Sequence, residues 1–410
     1  MPTLSSGQQA ANTGGSSGTA PVAAQAAAFR ANTQKTIKRP GTNLAGVTAT
    51  VGTSAVFGNP LPDTQIPPTT LLRCIYLEVN WNVASGNAAT VVFQADAPLN
   101  VFSSVNFHDA QGTSIVGAFD SFTLSMAQKW FGFMNNADPA SSVVYTATPG
   151  SGATGGSFTI VFRIPVEVVM RTGVGSQINT DTQSPLVLSL TCNTAAAIYS
   201  TAPTAAAVFT PNVIVSYGGY WNQSGNPNSF ATPTAVGTLN YVNWTNYTGL
   251  AGQQQFQLAN IGLGNSVANI MFINRVTATG ARNDSNFPNP LQIAYRGNVL
   301  GQFSQLLWKH LMSESYDLQN GTQDNGLGAN AAAPGSAGNV SQSVNQGVYN
   351  LWFNDDFNTQ PGNTLFYTLL NTAVGDSVEL TGAWTTTACT LYEIINFLAV
   401  SGPVSALMGH

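Results

Sequence analysis

Few groups in this chain are equipped for acid–base or nucleophilic chemistry. It has three histidines. His108 stands beside Asp109 at the end of an expected strand, His310 follows Trp308 on an expected short helix, and His410 is C-terminal. Hydrolysis needs a nucleophile, a base and a group orienting the base, or else two carboxylates in one cleft. The sequence spells neither grouping, and HExxH, a CxxC pair and GxxxxGK[ST] are absent. The Gly-rich stretches GSGATGG (150–156) and GLGNS (262–266) do not open a helix after a strand, as a phosphate cradle requires. Asp355 and Asp356, flanked by Asn354 and Asn358, offer oxygen ligands without the ligand spacing of a calcium loop. Cys74, Cys192 and Cys389 are odd in number and far apart, each within an apolar or β-branched run. They read as buried small hydrophobes, not as a disulfide framework or metal site. The expectation is a chain with no catalytic residue, no cofactor and no metal.

The charge pattern points elsewhere. Only 7% of the 410 residues are charged, against a usual quarter or so. Disordered chains are poor in aromatic and apolar residues, whereas this one is 10% aromatic and 43% hydrophobic. A surface of neutral amides and hydroxyls suits a protein packed against copies of itself, where each buried charge would carry a desolvation cost. The first forty residues hold Arg30, Lys35, Lys38 and Arg39 and no acid. The remainder holds eight bases against seventeen acids, a net −9. A basic arm on a mildly acidic body suits contact with something anionic.

The elements that would position these groups are mostly strands. Residues 1–20 are Gly/Ser/Ala/Gln-rich, and 21–38 have the composition of a weak helix that Pro21 could start. From Val47 on, short β-branched and aromatic runs punctuated by Pro, Gly and Asn predict strands at 47–57, 72–83, 89–95, 100–109, 157–169, 186–192 and 212–221. Pro165 marks an edge position or a bulge. In 118–131 the spacing of Phe119, Phe122, Met126 and Trp130 predicts a helix, and a long neutral loop follows to 156. The second half repeats the order. Strands are expected at 238–247, 254–261, 266–276 and 290–300. A helix follows at 301–312 with Phe303, Leu306, Leu307 and Leu311 on one face, then a long loop at 320–346 and strands at 347–357, 376–387 and 389–400. The reading is all-β: an arm (1–44), a first sandwich (45–222), a Pro/Asn/Ser-rich linker (223–235), a second sandwich (236–402) and a tail (403–410). No run of 18 apolar residues exists, and the N-terminus lacks the charged and apolar regions of a secretory signal. Maturation inside a cell is expected.

Several stretches carry a family resemblance: APLNVFSSVNFHDAQG (97–112), GGSFTIVFRIPVEVVMRTGV (155–174), SPLVLSLTCN (184–193), NVIVSYGGYW (212–221) and NQGVYNLWFNDDFN (345–358). In this order the chain resembles the double jelly-roll major capsid proteins of tailless, membrane-containing icosahedral viruses, most closely the tectivirus type. The resemblance implies two consecutive jelly rolls, each of two four-stranded antiparallel sheets packed face to face with one short flanking helix, behind a flexible N-terminal arm. It also implies homotrimers of pseudo-hexagonal outline tiling an icosahedral shell in the virion, made in the host cytoplasm. The long loops would form outer towers. Arg30, Lys35, Lys38 and Arg39 would face an internal membrane from the inner side. Implied partners are neighbouring trimers, penton and minor capsid proteins, without sequence-specific nucleic acid. The alternative is a cell-surface or spike-type β-sandwich that binds carbohydrate. It would expose aromatics at its loop tips, and the long loops hold almost none.

Overall fold

The computed structural model describes Thr33 to Val400, less residues 46–47, 68, 86–89, 132–143, 151, 153, 168–175, 180–184, 223–237, 260, 262–264, 317–344 and 354–369. The principal strands of the first half are β1 (Thr33–Ala45), β2 (Thr69–Ser85), β3 (Phe102–His108), β4 (Ser114–Phe119), β5 (Ser157–Pro165), β6 (Leu186–Cys192) and β7 (Val208–Asn222). Helix α1 (Ser121–Trp130) follows β4. One sheet runs β1-β7-β2-β5 and the other runs β4-β3-β6 with the short strand Thr64–Ile66 at its edge. These two faces make a four-on-four sandwich. Alternation explains the facing: LVLSLTC in β6 buries every second side chain, beginning at Leu186. Trp81 centres the core, stacked on Phe158 at 5.4 Å and edge-on to Phe209 at 5.0 Å.

The second half contains β8 (Thr238–Gln257), β9 (Ser266–Val276), β10 (Leu291–Tyr295), β11 (Asn298–Phe303), helix α2 (Gln305–Tyr316), β12 (Val348–Trp352) and β13 (Val378–Val400). Here β8 and β13 are long and antiparallel and serve both faces. β13 pairs with β8 along most of its length. Its first part also pairs with β10, on which β11 is hairpinned, and its later part pairs with β9, which carries β12 on its other side. Sequence reading divided β8 in two. The chain instead bends within one strand, at register shifts around Leu250 where Gly249 and Gly252 take φ of +71° and +67°. The expected strands at 376–387 and 389–400 likewise form the single β13. The expected strand at 290–300 is a hairpin. Arg296 and Gly297, both at positive φ, make the two-residue turn between β10 and β11.

Other expectations need correction. Residues 33–45, assigned to the arm and in part to a weak helix, form β1, the edge strand paired antiparallel with β7. Ala/Gln composition favoured a helix up to position 38, but β7 offers a ladder that runs from Thr33 to Ala45. The remainder of the expected helix, 21–32, lies outside the described residues, as do the linker and most of both long loops. The run 47–57 holds only the two-residue strand Ala49–Thr50. Gly52 packs against the Ala205 backbone, and Gly58 takes φ +72°, so the β-branched run turns away. Helix α2 starts at Gln305 and buries Trp308 and Met312, while Leu306 and Leu307 face outward.

Helix α1 follows its expected face. Phe122, Met126 and Trp130 are buried, and Phe119 belongs to β4. Asp120 caps its start by accepting a 2.6 Å hydrogen bond from the Thr123 amide. Asp120→Ala should cost about 1 kcal/mol in a urea melt with unchanged m-value. A melt that did not move would show the cap to be dispensable.

Candidate functional site

The residues that could do chemistry are dispersed. His108 places Nδ1 2.7 Å from the Asp109 carbonyl and Nε2 3.1 Å from Ser189 Oγ, and that hydroxyl donates to Asp63 at 2.6 Å. The serine proton is thus committed to a carboxylate, the reverse of a hydroxyl whose proton passes to histidine. His310 is exposed on α2. Asp355, Asp356 and His410 lie outside the described residues. Cys74, Cys192 and Cys389 are buried and unbridged, and burial pushes the Cys192 thiol up to about 12. Among the described residues no group of three His, Cys, Asp or Glu could hold a metal ion. Of the expected inner-face contacts, Lys35, Lys38 and Arg39 fall on β1, and Arg30 lies outside the described residues.

What the fold does bring together is a seam between the sandwiches. A single parallel pairing, Val242 of β8 with Val116 of β4, joins their sheets. Around it α1 of the first sandwich serves as a keystone. The Trp352 indole donates to the Trp130 carbonyl at 2.7 Å, Lys129 Nζ reaches Asn345 Oδ1 at 2.6 Å, and the two tryptophan rings lie 6.0 Å apart. Beside α1, Asp96 receives two guanidinium groups from the second sandwich. Arg282 Nε donates to Oδ1 at 2.6 Å, and Arg275 donates to Oδ2. Both cations stand over the Phe122 ring, Arg282 at 4.4 Å and Arg275 at 5.5 Å. Burial opposes the Asp96 charge, but the paired guanidinium groups prevail and hold its pKa at about 2.

A cleft of about 200 Å³ opens along the same seam, lined by Ser103, Phe119, Asp120, Thr123, Trp244 and Tyr392 among others. The seam was not legible in the sequence, since Asp96 and Arg282 are 186 positions apart. One available signal was scarcity. Six of the eight bases outside the arm have named partners: Lys129 at Asn345, Arg73 at Glu167, Arg275 and Arg282 at Asp96, Arg296 at Asp376, Lys309 at Asp284. In so uncharged a body, an isolated base marks a structural partner.

No family model matches the sequence, and no curated protein matches it. The similarity is in structure. The major capsid protein of Sulfolobus Turreted Icosahedral Virus is similar at 13% identity and TM-score 0.56, covering 89% of this chain and 96% of that one. The PBCV-1 virus capsid is similar at 12% identity and TM-score 0.56, over 90% of this chain and 95% of that one. The Faustovirus major capsid protein is similar at 8% identity and TM-score 0.50, over 90% and 91%. The fold of this chain is therefore the double jelly roll found in viral major capsid proteins.

Proposed function

We propose that the chain is the major subunit of a viral capsid, a structural protein and not a catalyst. The observation that carries this reading is the extent of the likeness. Both sandwiches, in order, align over nine-tenths of chains that are themselves capsid proteins. The seam supports it, because a buried charge cluster and a keystone helix make two sandwiches one rigid tile, as a shell needs. On this reading three chains form a homotrimer of pseudo-hexagonal outline that tiles an icosahedral shell over an internal membrane. Penton and minor capsid proteins complete the particle. Residues 45–222 and 236–402 supply the two jelly rolls, with β1 added to the first from the preceding segment. The carbohydrate-binding alternative turned on aromatic loop tips, and most of both long loops lies outside the described residues.

The arm reaches the membrane through Arg30, Lys35, Lys38 and Arg39, each base contributing about 1 kcal/mol near an anionic surface. Replacing all four bases (Arg30→Gln, Lys35→Gln, Lys38→Gln, Arg39→Gln) removes their charges while leaving the β1 backbone to pair with β7. The variant should remain an oligomer of wild-type mass, yet assemble into few membrane-containing particles on a density gradient. Wild-type yields of such particles would sink the arm's role.

A further inference from the structure

Among the described residues seven large apolar side chains are exposed, and four of them fall within nine positions: Val299 and Leu300 on β11, Leu306 and Leu307 on α2. Leu306 is 85% exposed, at the first turn of a helix whose Trp308 and Met312 are buried. A fifth, Val374, is 86% exposed in the turn closed by Asp376, and Asp376 holds Arg296 at the β10–β11 turn through two 2.6 Å hydrogen bonds. Leu300 and Leu306 can be no more than about 20 Å apart along the chain. The five side chains thus belong to one stripe of chain: β11, the first turn of α2, and the turn that Asp376 ties to Arg296. β11 is also the terminal strand of its sheet.

We propose that this stripe is a subunit contact whose occupant is a second copy of this chain, an inference that rests on the shell-subunit reading. The exposed apolar area is on the order of 500 Å², at the upper end of what a monomer leaves uncovered and over half of one side of a stable interface. The flanking charges are already neutralised, Arg296 by Asp376 and Lys309 by Asp284. Around the stripe stand the neutral Asn298, Gln302, Ser304 and Gln305. Such a surface has no charge with which to select an oppositely charged partner, and it matches the uncharged surface of its own copies. The contact is made by side chains and not by continuing the sheet. The register jumps at Leu300, which has no partner in the ladder, and a bulged edge resists strand addition.

Sedimentation velocity of the full chain tests this, comparing wild type with Leu306→Asp, with Val299→Asp/Leu306→Asp and with Val144→Asp, a control at an exposed apolar position elsewhere. The single variant should weaken self-association at least about tenfold and the double variant further, with unchanged near-ultraviolet circular dichroism. The control should sediment as wild type. Wild-type oligomers from the folded double variant would overturn the contact while leaving the shell reading to its own particle test. A wild-type chain that stayed monomeric at its highest soluble concentration would overturn the contact too.

Discussion

Asp96→Ala should destabilise the folded subunit by about 3–5 kcal/mol, because it leaves two guanidinium groups buried at the seam without their carboxylate. Arg282 is fully buried in its side chain and Arg275 nearly so, so neither can recover water without parting the sandwiches. The loss should appear as early exposure of the seam, in hydrogen exchange of α1 and of β13 around Thr390–Ile394 ahead of the rest of the sheets. Asp96→Asn should cost nearly as much, since its amide keeps the shape but not the charge. Acid should reproduce the effect in the wild type. The Asp96 pKa falls from 3.8 to about 2 on folding, so its contribution of roughly 2 kcal/mol is complete above pH 4 and lost as pH falls towards 2. A melting temperature equal to that of wild type for both variants would remove the seam from the account.

Glu393 makes the opposite prediction. It lies on β13 with no exposed surface, and Tyr247 donates to its Oε2 at 2.5 Å. Burial raises its pKa from 4.5 to about 8, with the Tyr247 hydrogen bond opposing in part. At neutral pH the folded chain therefore holds a proton that the unfolded chain has released. Stability should fall as pH rises from 4.5 to 8, by as much as about 4 kcal/mol from this group. Glu393→Gln keeps the neutral shape and should abolish that slope, leaving the variant more stable than wild type at pH 8 and near it at pH 4.5. Parallel stability–pH curves for the two proteins would show that Glu393 is ionised in the fold. Asp96 and Glu393 together place maximum stability in mild acid, between pH 4 and 5.

Where one face of a strand meets the core, the pattern was legible. LVLSLTC was expected at 186–192 and stands there, and Phe122, Met126 and Trp130 marked the buried face of α1. Pro165 reads as an edge position or a bulge, and the structure makes it the former. The short strand beside β5 pairs only with residues 157–159, so Pro165 has β2 on one side alone. Legibility failed where backbone geometry overrode composition. SIVGAF forms β4 only because Gly117 takes φ +116° with its α-carbon against the Val105 carbonyl, and Ala118 takes φ +55°. The face of α2 was misread because Leu306 and Leu307 are as apolar as core residues, and apolarity alone does not place a side chain in the core. The seam escaped altogether, since nothing local to Asp96, Arg275 or Arg282 announces that a turn, the end of β9 and the segment bridged to it meet. The contact of His108 with Ser189, and of Ser189 with Asp63, was equally invisible in the sequence, because the three residues lie on separate segments.

The measurement that bears most directly on the shell-subunit reading is the solution mass of the purified full chain, by light scattering after size exclusion. The account predicts a stable assembly of three 42.8 kDa chains, with a hexagonal outline when the same peak is imaged. A monomer that persists at every concentration, with no such outline, would contradict it.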